Sequence, residues 1–457
     1  MSEQRSRRDF LRTAALTGIG VWAADKSWAA DKTTQGGKIL GANDKIKFAC
    51  IGVNGKGRDD SDTAAKFGDI IAICDVDDNS LAMAAKKWPN AKKYNDYRVM
   101  FKEMSKDIDA VTVSTPDHHH VHAAALSLHH GKHTFCQKPL THSIYEARYL
   151  GDLARKMKVA TEMGNQGTAN NSMRLNAYKV RAGALGTVSD VHVWTDRPIW
   201  PSGIERPAPA TPPSELHWDL WLGPASKRPY AKGAYHTFAW RGWWDFGTGA
   251  LGDMACHTVN LPFMALDLRY PTSVVATSSG NNKDSYPKST KIVFEFPAIK
   301  SEKMTRGPIT LHWYDGANLP DAELINGGKF PLTEFVNDGR FPISGSLIIG
   351  DKGKLYTPGD YGGGGHIVGT GDTADVEFPK SPGHFEEFVR AIRGGEQAMS
   401  NFPDYAGPLT ETILLGNLAV WAEGKTIQWD AKNLRAENAP EVADIIRPKY
   451  QHGYHLG

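Results

Sequence analysis

Between Lys45 and about residue 168, short apolar runs alternate with amphipathic stretches, the pattern of strands separated by helices. An apolar strand from Ile46 to Ile51 leads through a glycine-rich turn into the helical stretch DDSDTAAKFG. A second strand, DIIAICDVDD, has its apolar part end at Asp75. Further strands are predicted at 108–114, 133–136 and 158–163, the last running into Gly164-Asn165-Gln166. A histidine-bearing helix and a helix over about 142–157 fall between them. From about residue 186 the period changes to two. TVSDVHVWTD, SVVATSS, STKIVFEF, PITLHWYD and SLIIGDKGKLY read as strands of a largely antiparallel sheet. Ala250 to Leu266 is an apolar helical stretch bent at Pro262, and two helices at about 383–394 and 407–424 follow the sheet.

The first turn carries specific chemistry. KIKFACIGVNGKG places Gly52-x-x-Gly55-x-Gly57 between a strand and a helix, and Asp75 closes the next strand 23 residues after Gly52. Glycines let backbone N–H groups approach a pyrophosphate at a helix N-terminus. An acidic side chain at the end of the second strand accepts hydrogen bonds from ribose hydroxyls and repels a 2′-phosphate, so NAD is expected rather than NADP. The expected fold class is α/β: an N-terminal Rossmann domain (45–168), then an α+β domain (169–457) with a large, mostly antiparallel open sheet. Ligands of parallel sheets bind at the carboxyl ends of the strands. Candidate cofactor contacts are therefore Gly52, Asn54, Gly55, Lys56, Gly57, Asp75, Thr115, Pro116, His118, His120, Gln137, Lys138 and Gln166.

TPDHHHVHAAALSLHHGKHTFCQKPL holds seven histidines, a composition that invites a metal. His118–His122 fall at the start of a helix and His129 and His130 near its far end, roughly 15 Å away at about 1.5 Å per residue. One ion cannot gather both groups, and no Cys or Glu with ligand spacing accompanies the first four. No metal is expected, and most of these histidines are read as solvated loop and helix residues beside the cofactor crevice.

Lys138 ends a buried-looking strand, where a partly desolvated lysine can exchange a proton with a bound hydroxyl. In ALGDMACHTVNL, Asp253, His257 and Asn260 recur at i, i+4 and i+7 on one face of an otherwise apolar helix. Buried polar groups need partners or a substrate, since each unsatisfied one costs about 1–3 kcal/mol. Asp253, four residues before His257, is expected to orient and charge-stabilise the imidazole.

These motifs (GVNGKG, TPDHHH, GKHTFCQKPL and the ALGDMACH helix) resemble the glucose–fructose oxidoreductase, inositol dehydrogenase and rhizopine-catabolism family of NAD(P)-dependent oxidoreductases, from about Lys45 through the C-terminal domain. The resemblance implies a catalytic Lys138 with the Asp253 and His257 pair, acting on a hydroxyl of a sugar, polyol or sugar derivative. Two residues depart from the pattern. Gln137 stands where the family carries Glu, removing a charge partner of the lysine, and Asn260 replaces a frequent Asp. Lys138, Gln166, Arg241, Asp253 and His257 are the expected substrate contacts. Two other readings use the same parts: an NAD-dependent glycosidase working by transient oxidation and elimination with retained cofactor, and a non-catalytic sugar-binding relative.

The N-terminus changes the setting. Ser6-Arg7-Arg8-Asp9-Phe10-Leu11-Arg12, then AALTGIGVWAA and Ser27-Trp28-Ala29, reads as a twin-arginine signal over 1–29, with a linker arm over 30–44. A periplasmic or otherwise exported enzyme with a tightly bound nucleotide is expected, because that route carries folded proteins. Residues 1–29 hold five basic and three acidic side chains, which accounts for the whole net charge of +2. Nothing in the balance points to nucleic acid or anionic lipid. No run has the length of a membrane span, and no cysteine follows the signal to take a lipid. The expected partners are a small carbohydrate substrate and further copies of the chain, joined through the C-terminal sheet.

The remaining features are read as structural. Cys50, Cys74, Cys136 and Cys256 are taken as small buried hydrophobes. The Pro- and Trp-rich insertion RPIWPSGIERPAPATPPSELHWDLWLGPASKRPY is expected to use its tryptophans mostly in packing, and Tyr361 to His366 is expected to be a mobile loop.

Overall fold

A computed structural model of the chain describes residues 37–41, 43–301, 304–336, 341–371 and 376–456. The twin-arginine segment and residues 30–36 of the arm lie outside the described residues.

The apolar runs of the first half become six parallel strands: β1 Ile46–Ile51, β2 Gly68–Cys74, β3 Lys92–Tyr94, β4 Ala110–Val113, β5 His133–Gln137 and β6 Thr161–Gly164. Their order is β3-β2-β1-β4-β5-β6. Strand order reverses between β1 and β4, which opens a crevice at their carboxyl ends. The helices begin on side-chain caps: Asp77 accepts from the amides of Asn79 and Ser80, and Ser143 with Glu146 forms a capping box at the start of Ile144–Met157. One layer over this sheet comes from far along the chain. Phe385 and Phe388 of the His384–Ile392 helix join Phe48, Phe135 and the arm residue Leu40 in one apolar cluster. Removing a side chain as large as Phe385 there costs about 3–5 kcal/mol.

The second sheet adds β7 Val188–Trp194, β8 Ser273–Ser278, β9 Thr290–Phe296, the small hairpin β10 Ile299–Lys300 and β11 Thr305–Arg306, then β12 Ile309–Tyr314, β13 Gly345–Gly350, β14 Gly353–Pro358, β15 His366–Gly369, β16 Ile427–Asp430 and β17 Arg435–Ala436. Apart from the hairpin they form one sheet in the order β15-β14-β13-β7-β12-β9-β8-β16-β17. Only β7 and β12 are paired in parallel within it. Alternation explains its two faces. Ile292, Phe294 and Phe296 of β9 point into the core beneath the 249–266 and 407–421 helices, while Lys291 and Glu295 are exposed. On the opposite face, Trp194, Leu347 and Tyr356 are covered by Ile325, Leu332, Val336 and Phe341, leaving the Val275, Val293 and His312 row partly exposed.

The helix expected to bend at Pro262 is interrupted three residues earlier, between Gly249–Thr258 and Asn260–Leu266. Pro262 has no N–H for the carbonyl of Thr258, where the first helix ends. The four cysteines are buried and free, as expected of small apolar side chains. Among the described residues no helix is long and apolar enough to cross a membrane.

Candidate active site

The glycine turn after β1 has the shape of a phosphate cradle. Gly52 has φ +78°, and a Cβ there would lie 2.5 Å from the Ser114 carbonyl oxygen. A Cβ on Gly57 would stand 2.1 Å from the Gly52 carbonyl oxygen, whereas one on Gly55 would meet open space. Close packing beneath and free space above suit a pyrophosphate against the helix start. Asp75, just beyond β2, accepts from the amides of Val53 at 2.9 Å and Asp77 at 3.0 Å, and burial raises its pKa. It thus lies beside the glycine turn, where a ribose would reach it. Asn54 donates to Ser80 Oγ at 3.0 Å, bracing the same turn.

Two expected cofactor contacts are engaged elsewhere. Lys56 is ion-paired with the buried carboxylate of Asp60, one turn along its own helix. Gln137 Nε2 donates to Asp60 at 2.7 Å, and Ser114 Oγ does so at 2.8 Å. The departure from Glu at position 137 thereby gains a physical reason: an amide donates to the Asp60 carboxylate, where a second carboxylate would repel it.

The histidines also need correction, because His118, His119, His120 and His122 are buried rather than solvated. All lie within the Asp117–His129 helix. The His118 ring faces the carbonyls of Phe246 (3.2 Å) and Trp221 (3.0 Å), so its side chain packs against the insertion. His120 sets its two ring nitrogens 2.8 Å from the carbonyls of Pro139 and Thr115, at the exits of β5 and β4, and the neutral ring donates to one of them. Burial lowers the pKa of His118 well below the imidazole range and that of His120 to about 4. Thr115 and Pro116 line the β4 exit as half-buried residues, and Gln166 is exposed just past β6.

Lys138 meets the ALGDMACH helix directly. Its Nζ donates to the Asp253 carboxylate at 2.8 Å and to the Asp253 carbonyl at 2.6 Å. Arg241 Nε reaches the same carboxylate oxygen at 3.2 Å. Burial raises the Asp253 carboxyl, but the Lys138 and Arg241 charges more than offset this and hold it at about 2. Asp253 acts on His257 through its charge, while the orientation expected of it comes from Asn165. His257 Nδ1 lies 2.8 Å from Asn165 Oδ1, and Asn165 Nδ2 donates to the Cys256 carbonyl at 2.6 Å. A carbonyl only accepts, so the amide nitrogen must face Cys256 and the amide oxygen must face His257. The imidazole then carries its proton on Nδ1 and keeps Nε2 as a base. Burial, followed by the Lys138 charge, lowers His257 to about 3.

Tyr361 stands edge-on to His257, with ring centroids 4.9 Å apart. The glycines after it explain how a loop reaches that place. A Cβ on Gly362 would lie 2.9 Å from Met173, one on Gly363 2.8 Å from Asn170 and one on Gly365 2.5 Å from Asn176. The run expected to be mobile is seated closely on the Asn171–Arg181 helix. Asn260 is fully engaged, donating to Thr168 Oγ1 at 3.0 Å and accepting from the Tyr405 hydroxyl.

Asn165, Asp60 and Tyr361 are thus parts of the site beyond the expected set. Asn165 was within reach, since it occupies a strand end beside Gln166. Asp60 and Tyr361 carry no local signal, because their partners come from distant segments.

Residues 46–165 match the family described as "Oxidoreductase family, NAD-binding Rossmann fold", and residues 180–298 match its C-terminal alpha/beta domain. A glycosyl hydrolase family 109 protein of Solibacter usitatus is 31% identical over 32% of this chain and 35% of its own length. The D-glucoside 3-dehydrogenase of Escherichia coli is 28% identical over 30% of this chain and 37% of its own. The chain therefore spans little more than a third of these curated relatives. In fold alone it is similar to the WlbA dehydrogenase of Bordetella pertussis, solved with NADH and UDP-GlcNAcA, at TM-score 0.58 and 15% identity over 85% of this chain and 99% of that one. The chain carries both the NAD-binding Rossmann domain and the C-terminal α/β domain of the GFO/IDH/MocA oxidoreductase family.

Proposed function

We propose that the protein is an exported oxidoreductase acting on a CH–OH group of a sugar, polyol or sugar derivative, with a tightly held NAD. The observation that carries this reading is the meeting of Lys138 with Asp253 beside a neutral His257 whose Nε2 is basic. Bound NAD supplies the hydride acceptor. Lys138 spends two donors on Asp253 and has one left for a substrate oxygen, whose developing charge it stabilises. His257 Nε2 takes the hydroxyl proton. Asn165 sets the tautomer, and Asp253 holds Lys138 in place. Arg241, resting on the Trp240 and Phe238 rings at 4.3 and 4.6 Å, and Tyr361 on His257 are the further substrate contacts. Asp75, Asp77 and Asp78 make the ribose end acidic, which favours NAD over NADP.

Export rests on the twin-arginine pattern, and the partly exposed Val275, Val293 and His312 row supports self-association through the second sheet. The family 109 relatives support a second reading. In it, oxidation at one sugar carbon acidifies its neighbour, the aglycone leaves by elimination, water adds across the resulting double bond, and the hydride returns to the ketone. Purified protein given a panel of glycosides and free sugars, with added NAD, separates the two. Net NADH formation supports the dehydrogenase, and aglycone release without it supports the glycosidase. Neither product from any member, with nucleotide bound, would overturn both.

A further inference from the structure

The insertion between β7 and the Gly249–Thr258 helix is bonded to the first domain at two places, one after β2 and one after β4. In the first sheet β1, with its glycine turn, lies between β2 and β4. On the β2 side, Asp78 N donates to the Glu215 carbonyl and His217 N to the Val76 carbonyl, each at 2.9 Å. Asp77 and Leu216 form an isolated β-bridge. Two side-chain pairs add to this seam: His236 Nε2 to Asp77 at 2.9 Å and His217 Nε2 to Asp78 at 3.1 Å. On the β4 side, the Trp221 carbonyl lies 3.0 Å from ring nitrogens of both His118 and His119, and His118 N donates to the Phe246 carbonyl at 3.3 Å. Between its two moorings the insertion is stiffened by stacked rings, Trp218 on Trp221 at 4.8 Å and Tyr235 against Phe246 at 5.3 Å.

The two moorings thus lie on either side of β1, whose exit carries the glycine turn. We propose that this insertion is a strap over the adenosine half of the bound dinucleotide and slows its release, with His236 and His217 as its fastenings beside the ribose-reading Asp75. The inference rests on the proposed nicotinamide dinucleotide and deepens it by naming what retains the cofactor. The seam uses Val76, Asp77 and Asp78, the residues directly after Asp75, so a ribose held by Asp75 has the strap as its neighbour. Escape of the nucleotide then requires the seam to open.

The test measures NADH release by loss of nucleotide fluorescence after dilution into excess NAD, for the full chain and for a His217→Ala/His236→Ala double variant. The strap predicts release at least about tenfold faster in the double variant, with His236→Gln, which can still donate to Asp77, restoring part of the retention. Equal release rates in a variant of unaltered circular dichroism would overturn the strap and leave the cofactor assignment standing. A parent protein that takes up no NADH would overturn both. Hydrogen exchange on the parent gives a second test that requires no variant. The amides of His217 and Asp78 exchange more slowly with NADH bound, and unchanged exchange there would overturn the strap.

Discussion

Asn165 Oδ1 accepts a hydrogen bond from His257 Nδ1 at 2.8 Å, and this contact leaves Nε2 of the imidazole as its basic nitrogen. An uncharged amide does what an aspartate does in many histidine sites, so His257 gains an orientation without an anion on its Nδ1.

Replacing Asn165 with Asp places that anion. The imidazolium is then favoured, the pKa of His257 rises, and the acid limb of kcat/KM moves towards neutral pH. Asn165→Leu loses the tautomer control and lowers kcat by roughly tenfold or more. Paired pH profiles of the two variants check this, and a limb that stays in place in Asn165→Asp would remove Asn165 from the account.

In the parent protein His257 is lowered to about 3, chiefly by burial. A base works only above its own pKa, so its activity persists below pH 6 and falls as pH approaches about 3. A kcat/KM profile for any turned-over carbohydrate tests this. An acid limb centred near the ordinary imidazole value of about 6.5 would contradict the geometry.

Lys138→Ala and His257→Ala each lower turnover by roughly 10²–10⁴, the range for loss of a positioned acid or base. Bound nucleotide is retained in both, because the Gly52–Gly57 turn and Asp75 are untouched. Asn260→Ala behaves differently, since its amide bonds Thr168 and Tyr405 and its loss acts mainly on stability. Turnover, nucleotide content and melting temperature, measured together, separate these effects.

The buried pair Arg174 and Glu387 meets at 2.7 Å, and Arg174 also donates to the Thr168 carbonyl at 2.7 Å. It secures the Gln166–Ala169 turn to the His384–Ile392 helix. Glu387→Ala leaves a buried guanidinium unpaired and costs about 3–5 kcal/mol, read from denaturant midpoints. A loss below about 1 kcal/mol, typical of surface pairs, would show that the charge is not confined.

Local pattern carries the two-sheet architecture and the strand ends because each depends on near neighbours: apolar runs for β1, β2 and β4, alternation for β9 and β12, glycines for the first turn. The three-residue β3, sequence KKY, has no such run. Burial of His118–His122 depends on Trp221, Phe246 and the C-terminal Tyr450 and Tyr454, about 100 to 330 residues away. The i, i+4 spacing correctly places Asp253 and His257 on one helix face. It cannot reveal that Lys138 and Asn165, from two other strand ends, are the hydrogen-bond partners of Asp253 and His257.

Reduction of enzyme-bound nicotinamide by a carbohydrate in a single turnover tests the central claim most directly. NAD-loaded protein is mixed with each member of a panel of sugars, polyols and glycosides, and the reduced-nicotinamide absorbance is followed. At least one member is predicted to reduce the cofactor in the parent and to do so at least about 10²-fold more slowly in Lys138→Ala. If no member reduces it, or if Lys138→Ala reduces it at the parent's rate, the assignment of this site to carbohydrate oxidation is contradicted.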